Sequence, residues 1–414
     1  MTDSRDSLDS LDVIGPDTYM RDGYPHAAWK RLRAESPVHW FDLPGGVGFW
    51  AITRRADIVW LSKQPKRFLN APRLAIFEEG QPIEERDVRH LLNMDPLEHA
   101  AYRSTSSHWF TPRAIKGRLP EIERITRELL DDIAGDGESR EADFVSDLTA
   151  PLTLAVLADM LGVPREDWRL MFEWTNQIAG SADPEYQTEG LPNSAIGEAR
   201  DGLFQYFARL AEKRLNDPQD DIISVLVHSR MNGERMPPME LLSYFLLLVV
   251  AGNETTRNAA SGGLLALIEN PVEFAKLKAN PGLIDSAVEE IVRWTAPVIQ
   301  FCRTPVEDFE FHGKKIRAGD SMCLFYPSAN RDEAVFEDPD AFCVDRRPNP
   351  HLGFGIGEHF CLGANLARLE LKVIFRDLAL RLDEVELAGP YERVRSSFLG
   401  GVKRMPIRYR LRPS

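Results

Sequence analysis

Apolar positions spaced three to four residues apart dominate the chain from about residue 98 onward, which is the period of helices. "RLPEIERITRELLDDIAG" at 118–135 is the clearest case, with one apolar face and one charged face. Pro237-Pro238 opens a longer apolar segment that runs to about Asn270, where Pro271 stops it. At 1.5 Å per residue that helix spans roughly 45 Å, enough to cross a large domain. Strand patterning is confined to short stretches. "PVHWFDLPGGVGFWAIT" (37–53) places aromatic and β-branched runs on both sides of Pro44-Gly45-Gly46, a hairpin signal. Strand-like pieces return within 306–325 and in the C-terminal "RMPIRYRL". The pattern predicts a mainly α protein with small β-sheets. No linker or fixed-period repeat divides it, so one large domain over 16–414 is expected, after a flexible stretch at 1–15.

Composition narrows this picture. The chain has 414 residues, 43% hydrophobic and 28% charged, with a formal net charge of −14. That balance argues against nucleic acid and anionic membrane surfaces as partners. The acidic N-terminus reads as neither signal peptide nor membrane anchor, and "LLSYFLLLVVAG" (241–252) is too short to span a bilayer. The four cysteines, Cys302, Cys323, Cys343 and Cys361, form no CxxC pair, which fits a reducing cytoplasm.

Four constellations carry candidate chemistry. In "HLGFGIGEHFCLGANLARLE" (351–370), Gly353, Gly355, Gly357 and Gly363 surround Cys361 just before a helical pattern. Glycine lets a backbone come close to a large ligand, and a helix N-terminus stabilises a thiolate. A lone thiolate is wrong for zinc but suits haem iron, although a buried cysteine after a turn remains the bland alternative. "VVAGNETTRNAA" puts Ala251, Glu254 and Thr255 on neighbouring parts of one helix face, where an acid and an alcohol could relay protons. Equally, Thr255 could bond back to a carbonyl and Glu254 form a salt bridge. In "EEIVRW", Glu290 and Arg293 are spaced to pair. Finally, His99 and Arg103 in "MDPLEHAAYRSTSSHWFTPRAI" point the same way, as carboxylate donors or as a solvated helix face.

Taken together, Phe-Gly-x-Gly-x-His-x-Cys-x-Gly, Ala-Gly-x-Glu-Thr and Glu-x-x-Arg, in this order, resemble the cytochrome P450 family over nearly the whole chain. The resemblance implies that fold, with a long oxygen-activating helix lying over haem b. It makes Cys361 the iron ligand, with Phe354, Gly363 and Ala251 beside the cofactor and His99, Arg103, Arg303 and His359 on its propionates. Glu254 and Thr255 would deliver protons, with Glu standing where many members have Asp. Glu290, Arg293 and Arg346 would form an architectural cluster. The implied reaction inserts one atom of O₂ into a C–H bond. Electrons would come from a ferredoxin and its NAD(P)H-dependent reductase, because the chain has no flavin, nicotinamide or iron–sulfur signature. Arg113, Lys116 and Arg118 offer such a partner a basic patch, or simply a solvated face. The family's pocket segments supply Leu74, Ile76, Phe77, Leu248, Val298, Ile299, Phe301, Phe398 and Leu399. That apolar lining implies a terpenoid, steroid or alkyl-chain substrate. "AGNETTRNA" with "VRSSFLGGVKRMPIRY" resembles the bacterial branch that hydroxylates such compounds. Rival readings are a peroxide-driven peroxygenase of the same fold and a haem-based sensor.

Overall fold

Pro238–Glu269 forms one continuous helix of 32 residues in the computed structural model, which describes residues 7–43, 48–77, 89–179, 192–231 and 233–414. Proline occupies its first turn, where no N–H partner is lost, and Asn270 ends it. Pro271 both stops this helix and starts the next, Pro271–Ala279. Helices Ala150–Leu161, Ile284–Thr295 and Ala364–Arg381 pack around the central one. The approach is close at Gly263, where a Cβ would stand 2.7 Å from the Phe375 ring and 2.8 Å from Ile291. The main apolar cluster fills the space between these helices, drawing on Leu264, Val288, Ile291, Leu371 and Phe375.

A five-stranded sheet flanks the helical mass, in the order Val38–Phe41, Phe49–Ile52, Met322–Phe325, Gln300–Pro305, Phe68–Leu69. The expected hairpin is its edge, with Val38 opposite Ile52 and Phe41 opposite Phe49; the turn residues Pro44, Gly45 and Gly46 lie outside the described residues. A three-stranded sheet joins Ser139–Asp143, Pro406–Leu411 and Leu382–Leu387. The mainly α architecture with small sheets is therefore present as the pattern predicts.

Part of the stretch expected to be flexible is packed. Residues 7–15 include a 3₁₀ turn at Leu8–Ser10, and Val13 and Ile14 are buried against Tyr19 and Trp29. Leu8 and Leu11 pack against the same cluster, and Asp12 accepts from the Ile14 and Gly15 N–H groups, so the acids do not keep the segment loose. Among the described residues, no helix is long and apolar enough to cross a membrane.

Candidate active site

The cysteine loop folds back on itself before it enters helix Ala364–Arg381. The Cys361 N–H donates to the Phe354 carbonyl at 2.9 Å, and Gly355 and Gly357 take φ of +66° and +82°. The Phe354 ring lies under the Arg368 guanidinium, 4.3 Å from its carbon. Cys361 is solvent-accessible although protein surrounds it. Burial pushes its thiol up, while the Gly363 N–H and the charges of Arg103 and Arg368 act to bring it down. Burial outweighs them here, so the Gly363 N–H and the two arginines are the groups on hand to favour a thiolate rather than enough to make one unaided. Among the described residues, no group of three or more His, Cys, Asp or Glu could hold a metal ion.

Beside the loop the structure gathers two histidines and two arginines. His99 is buried, its Nδ1 lying 3.1 Å from Glu358, and its ring sits 4.0 Å from that of His359. Arg103, one turn on, donates to the Phe360 carbonyl at 2.6 Å. Arg303 is buried and gives one N–H to the Cys302 carbonyl. Burial first, then the charges of His99, Arg303 and Arg103, hold His359 down at about 2. Its Nε2 is buried and has no hydrogen-bond partner among the described residues. A buried donor without a partner, among cations that depress it, fits a group carrying carboxylates. The resemblance's haem has two, and the residues present fit it.

On the central helix the acid and the alcohol part company. Thr255 and Ala251 lie on the more open side, with the Thr255 hydroxyl donating to the Ala251 carbonyl at 2.8 Å. Glu254 turns inward instead and pairs with Arg257, one turn away. The expectation that all three share a face is corrected, because 100° per residue carries position 254 into the packed interior. Burial raises the Glu254 carboxyl, with Arg257 opposing, and its Oε1 has no partner among the described residues. Gly252 also serves packing more than ligand: a Cβ there would be 3.2 Å from Leu157.

Glu290, Arg293 and Arg346 do come together. Arg293 donates to both carboxylate oxygens of Glu290 at 2.7 and 2.8 Å, and Arg346 Nε lies 3.1 Å from the same group. Arg293 also caps the carbonyls of Asn330, Pro339 and Ala341. The cluster thus fixes the segment leading to the cysteine loop.

The pocket residues divide. Phe77, Phe301 and Phe398 are half-buried neighbours, with ring centroids 6.2 Å apart for Phe77–Phe398 and 5.6 Å for Phe301–Phe398. Leu74 is half-buried, and half-buried Val298 and Leu399 form a bridge between their segments. Ile76, Ile299 and Leu248 instead face apolar clusters behind the wall. A segment can line a pocket while alternate residues point away from it. On the helix, Leu247 shares the face of Ala251 and Thr255 by four-residue spacing and was missed. Residues 78–88, which follow Phe77, lie outside the described residues.

A further network also went unread: Arg368 donates to Glu289 at 2.6 and 2.9 Å, and His351 Nε2 lies 3.0 Å from it. Arg368 follows the cysteine by seven residues, so helical phase could have pointed it back at the loop.

Known proteins resemble this chain along most of its length. The family model for cytochrome P450 matches residues 192–383. A methyl-branched lipid omega-hydroxylase of Mycobacterium tuberculosis is 39% identical over 408 residues, covering 97% of this chain and 94% of that protein. A steroid C26-monooxygenase of Mycolicibacterium smegmatis is 36% identical, covering 91% of this chain and 89% of its own. Among solved structures, a Mycobacterium marinum cytochrome P450 in complex with pseudoionone aligns with TM-score 0.89 at 36% identity, covering 98% of this chain and all (100%) of that one. With likeness running end to end and an accessible cysteine in the signature loop, the chain belongs to the cytochrome P450 family and is a haem-iron monooxygenase.

Proposed function

We propose that this enzyme hydroxylates a hydrocarbon-rich small molecule, a methyl-branched lipid, steroid or terpenoid, at an unactivated carbon. The carrying observation is the half-buried aromatic wall of Phe77, Phe301 and Phe398 on an otherwise aliphatic lining. Such a wall holds a ligand by burial, at about 25 cal/mol per Å² of apolar surface, with few directional bonds. The relatives' names point the same way: one acts on methyl-branched lipids, one on steroids, and one solved neighbour holds pseudoionone.

In this reading residues 16–414 form one haem domain for haem b, whose iron Cys361 would hold through its sulfur. His99, Arg103, Arg303 and His359 hold the propionates. When bound, the haem supplies O₂ activation, favoured by electron density from the thiolate. The Gly363 N–H and the cations near Cys361 temper that donation. Thr255 presents its hydroxyl on the open side of the helix, and Glu254, its carboxyl raised by burial, lies in the buried layer behind it. Ala251 leaves room for the flat cofactor. Electrons come from a ferredoxin and its NAD(P)H-dependent reductase in the cytoplasm, with Arg113, Lys116 and Arg118 as the docking patch.

Two spectra test this. The reduced protein with carbon monoxide should give the red-shifted thiolate-type Soret band, and Cys361→Ser should lose it. A histidine-type band in the wild type would sink the ligand assignment. Pseudoionone, cholest-4-en-3-one and 15-methylhexadecanoic acid should include at least one compound that shifts the iron from low to high spin. A shift given only by sugars or amino acids would refute the substrate class.

A further inference from the structure

Gln300 opens strand Gln300–Pro305, fully buried, and its amide uses all of its hydrogen-bonding positions. Its Oε1 accepts from the Ile76 N–H at 3.1 Å and from the Cys323 thiol at 2.6 Å. Its Nε2 donates to the Ile76 carbonyl at 2.6 Å and the Ser397 carbonyl at 3.3 Å. An amide offers two lone pairs and two N–H groups, so nothing is left over, and the partners fix which end is oxygen.

The residues so joined have a common position. Ile76 precedes Phe77, Ser397 precedes Phe398, and Gln300 itself precedes Phe301. Successive strand side chains point to opposite faces, so Phe301 projects away from the buried amide, on the face it shares with Arg303. One side chain therefore ties three separate segments at the step before each of the three rings. Backbone bonds join the segments only pairwise, Cys302 to Leu74 and Ile299 to Phe398. Nothing in a packed apolar wall alone fixes three loops to one register, whereas a saturated buried amide does.

We propose that Gln300 is a positioning residue for specificity: it sets the spacing of Phe77, Phe301 and Phe398, and so decides how a hydrocarbon chain lies against the wall. The inference rests on the hydrocarbon-substrate reading. Gln300→Leu keeps the volume but strands the Ile76 N–H and the two carbonyls, so the segments should shift relative to one another.

The test uses haem-loaded protein and two iron-binding probes, imidazole and 1-dodecylimidazole, followed by their red Soret shift. Imidazole reports the iron site alone, and the dodecyl chain must run along the wall. Gln300→Leu should weaken 1-dodecylimidazole about tenfold, a modest share of what a misplaced wall can cost, and leave imidazole unchanged. Phe398→Ala should weaken it too, and the double variant should lose less than the product of the two effects. Equal losses for both probes, an unchanged dodecyl affinity, or strictly multiplicative effects would each overturn the proposal. If Gln300→Leu does not load haem, Gln300→Met takes its place under the same criteria. Failure of the substrate reading shows elsewhere, as a silent spin-shift panel with the wild type.

Discussion

Glu290 and Arg293 lie three residues apart on one buried helix, and Glu254 and Arg257 lie three apart on another. Spacing, residue types and burial match, yet the surroundings differ. Both Glu290 oxygens are fully engaged, by Arg293, Arg346, the Cys343 N–H and Asn349. Glu254 has Arg257 on one oxygen and no partner on the other among the described residues. A carboxylate held by donors on both oxygens acts as a strut. One left half-satisfied in a dry site is costly to ionise, and that cost makes it able to take and give a proton.

The comparison breaks or sharpens at four places. The largest effect should come from Arg293→Ala, which leaves Glu290 buried without its bidentate partner. Removing one member of such a pair costs about 3–5 kcal/mol, read as a lower unfolding midpoint and little haem-loaded protein. Stability within about 1 kcal/mol of wild type would reduce the cluster to ordinary packing.

Glu254→Gln should do the reverse: near-native stability with turnover down about 100-fold, the low end of what positioned proton transfer contributes. Its pH signature is distinct. The Glu254 carboxyl is raised above the ordinary 4.5 by burial, against Arg257. A raised carboxyl favours the fold while protonated, so that contribution falls as pH climbs past 4.5 and through the raised value. Unfolding free energies of wild type and Glu254→Gln should therefore diverge as pH rises from 5, with the wild type losing ground. Parallel curves would show that Glu254 is a strut as well.

A smaller effect is expected for Thr255→Ala. Product formed per NAD(P)H should fall several-fold while peroxide rises, with Tm nearly unchanged, since the lost bond is one to a helix carbonyl at about 1 kcal/mol. Unchanged coupling would confine Thr255 to that helix bond.

The smallest effect belongs to Glu289. Burial alone would raise its carboxyl, but hydrogen bonds from Arg368 and His351 bring it to about 2. Its stabilisation is present above pH 4.5 and is lost as pH falls toward 2. The group is partly exposed, so Glu289→Gln should cost about 1 kcal/mol at neutral pH and flatten the acid limb of the stability curve. An acid limb identical to wild type would remove Glu289 from the comparison.

Local signals in the chain explain why much of the site was legible. Cys361, Gly355 and Gly357 sit in one loop, and His99 with Arg103 needs only helical spacing. Glu290–Arg293 is likewise short-range. What escaped depends on phase and on distant segments. Leu248 and Leu247 are equally apolar, and only the helix's rotation decides which of them turns to the more open side. Ile76 and Ile299 occupy pocket segments but point behind the wall. Glu254 beside Thr255 looked like a pair on one face, and 100° of turn separated them. The contacts of Gln300 reach 224 residues in one direction and 97 in the other, and nothing in the sequence around it marks an amide that joins them. The fold followed from periodicity, whereas these contacts exist only once the chain has closed.

Gly357 carries a consequence for how such an enzyme can be altered. A Cβ there would sit 2.4 Å from the Ser62 carbonyl oxygen, at φ +82°. Backbone meets backbone, so no rotamer change relieves the clash, and the left-handed conformation penalises side chains independently. The cysteine's loop is therefore seated directly on the end of helix Arg55–Ser62. For anyone diversifying the loop to retune the iron, position 357 is a fixed letter: a substitution there pushes the two backbones apart, and the cysteine four residues on moves with the loop.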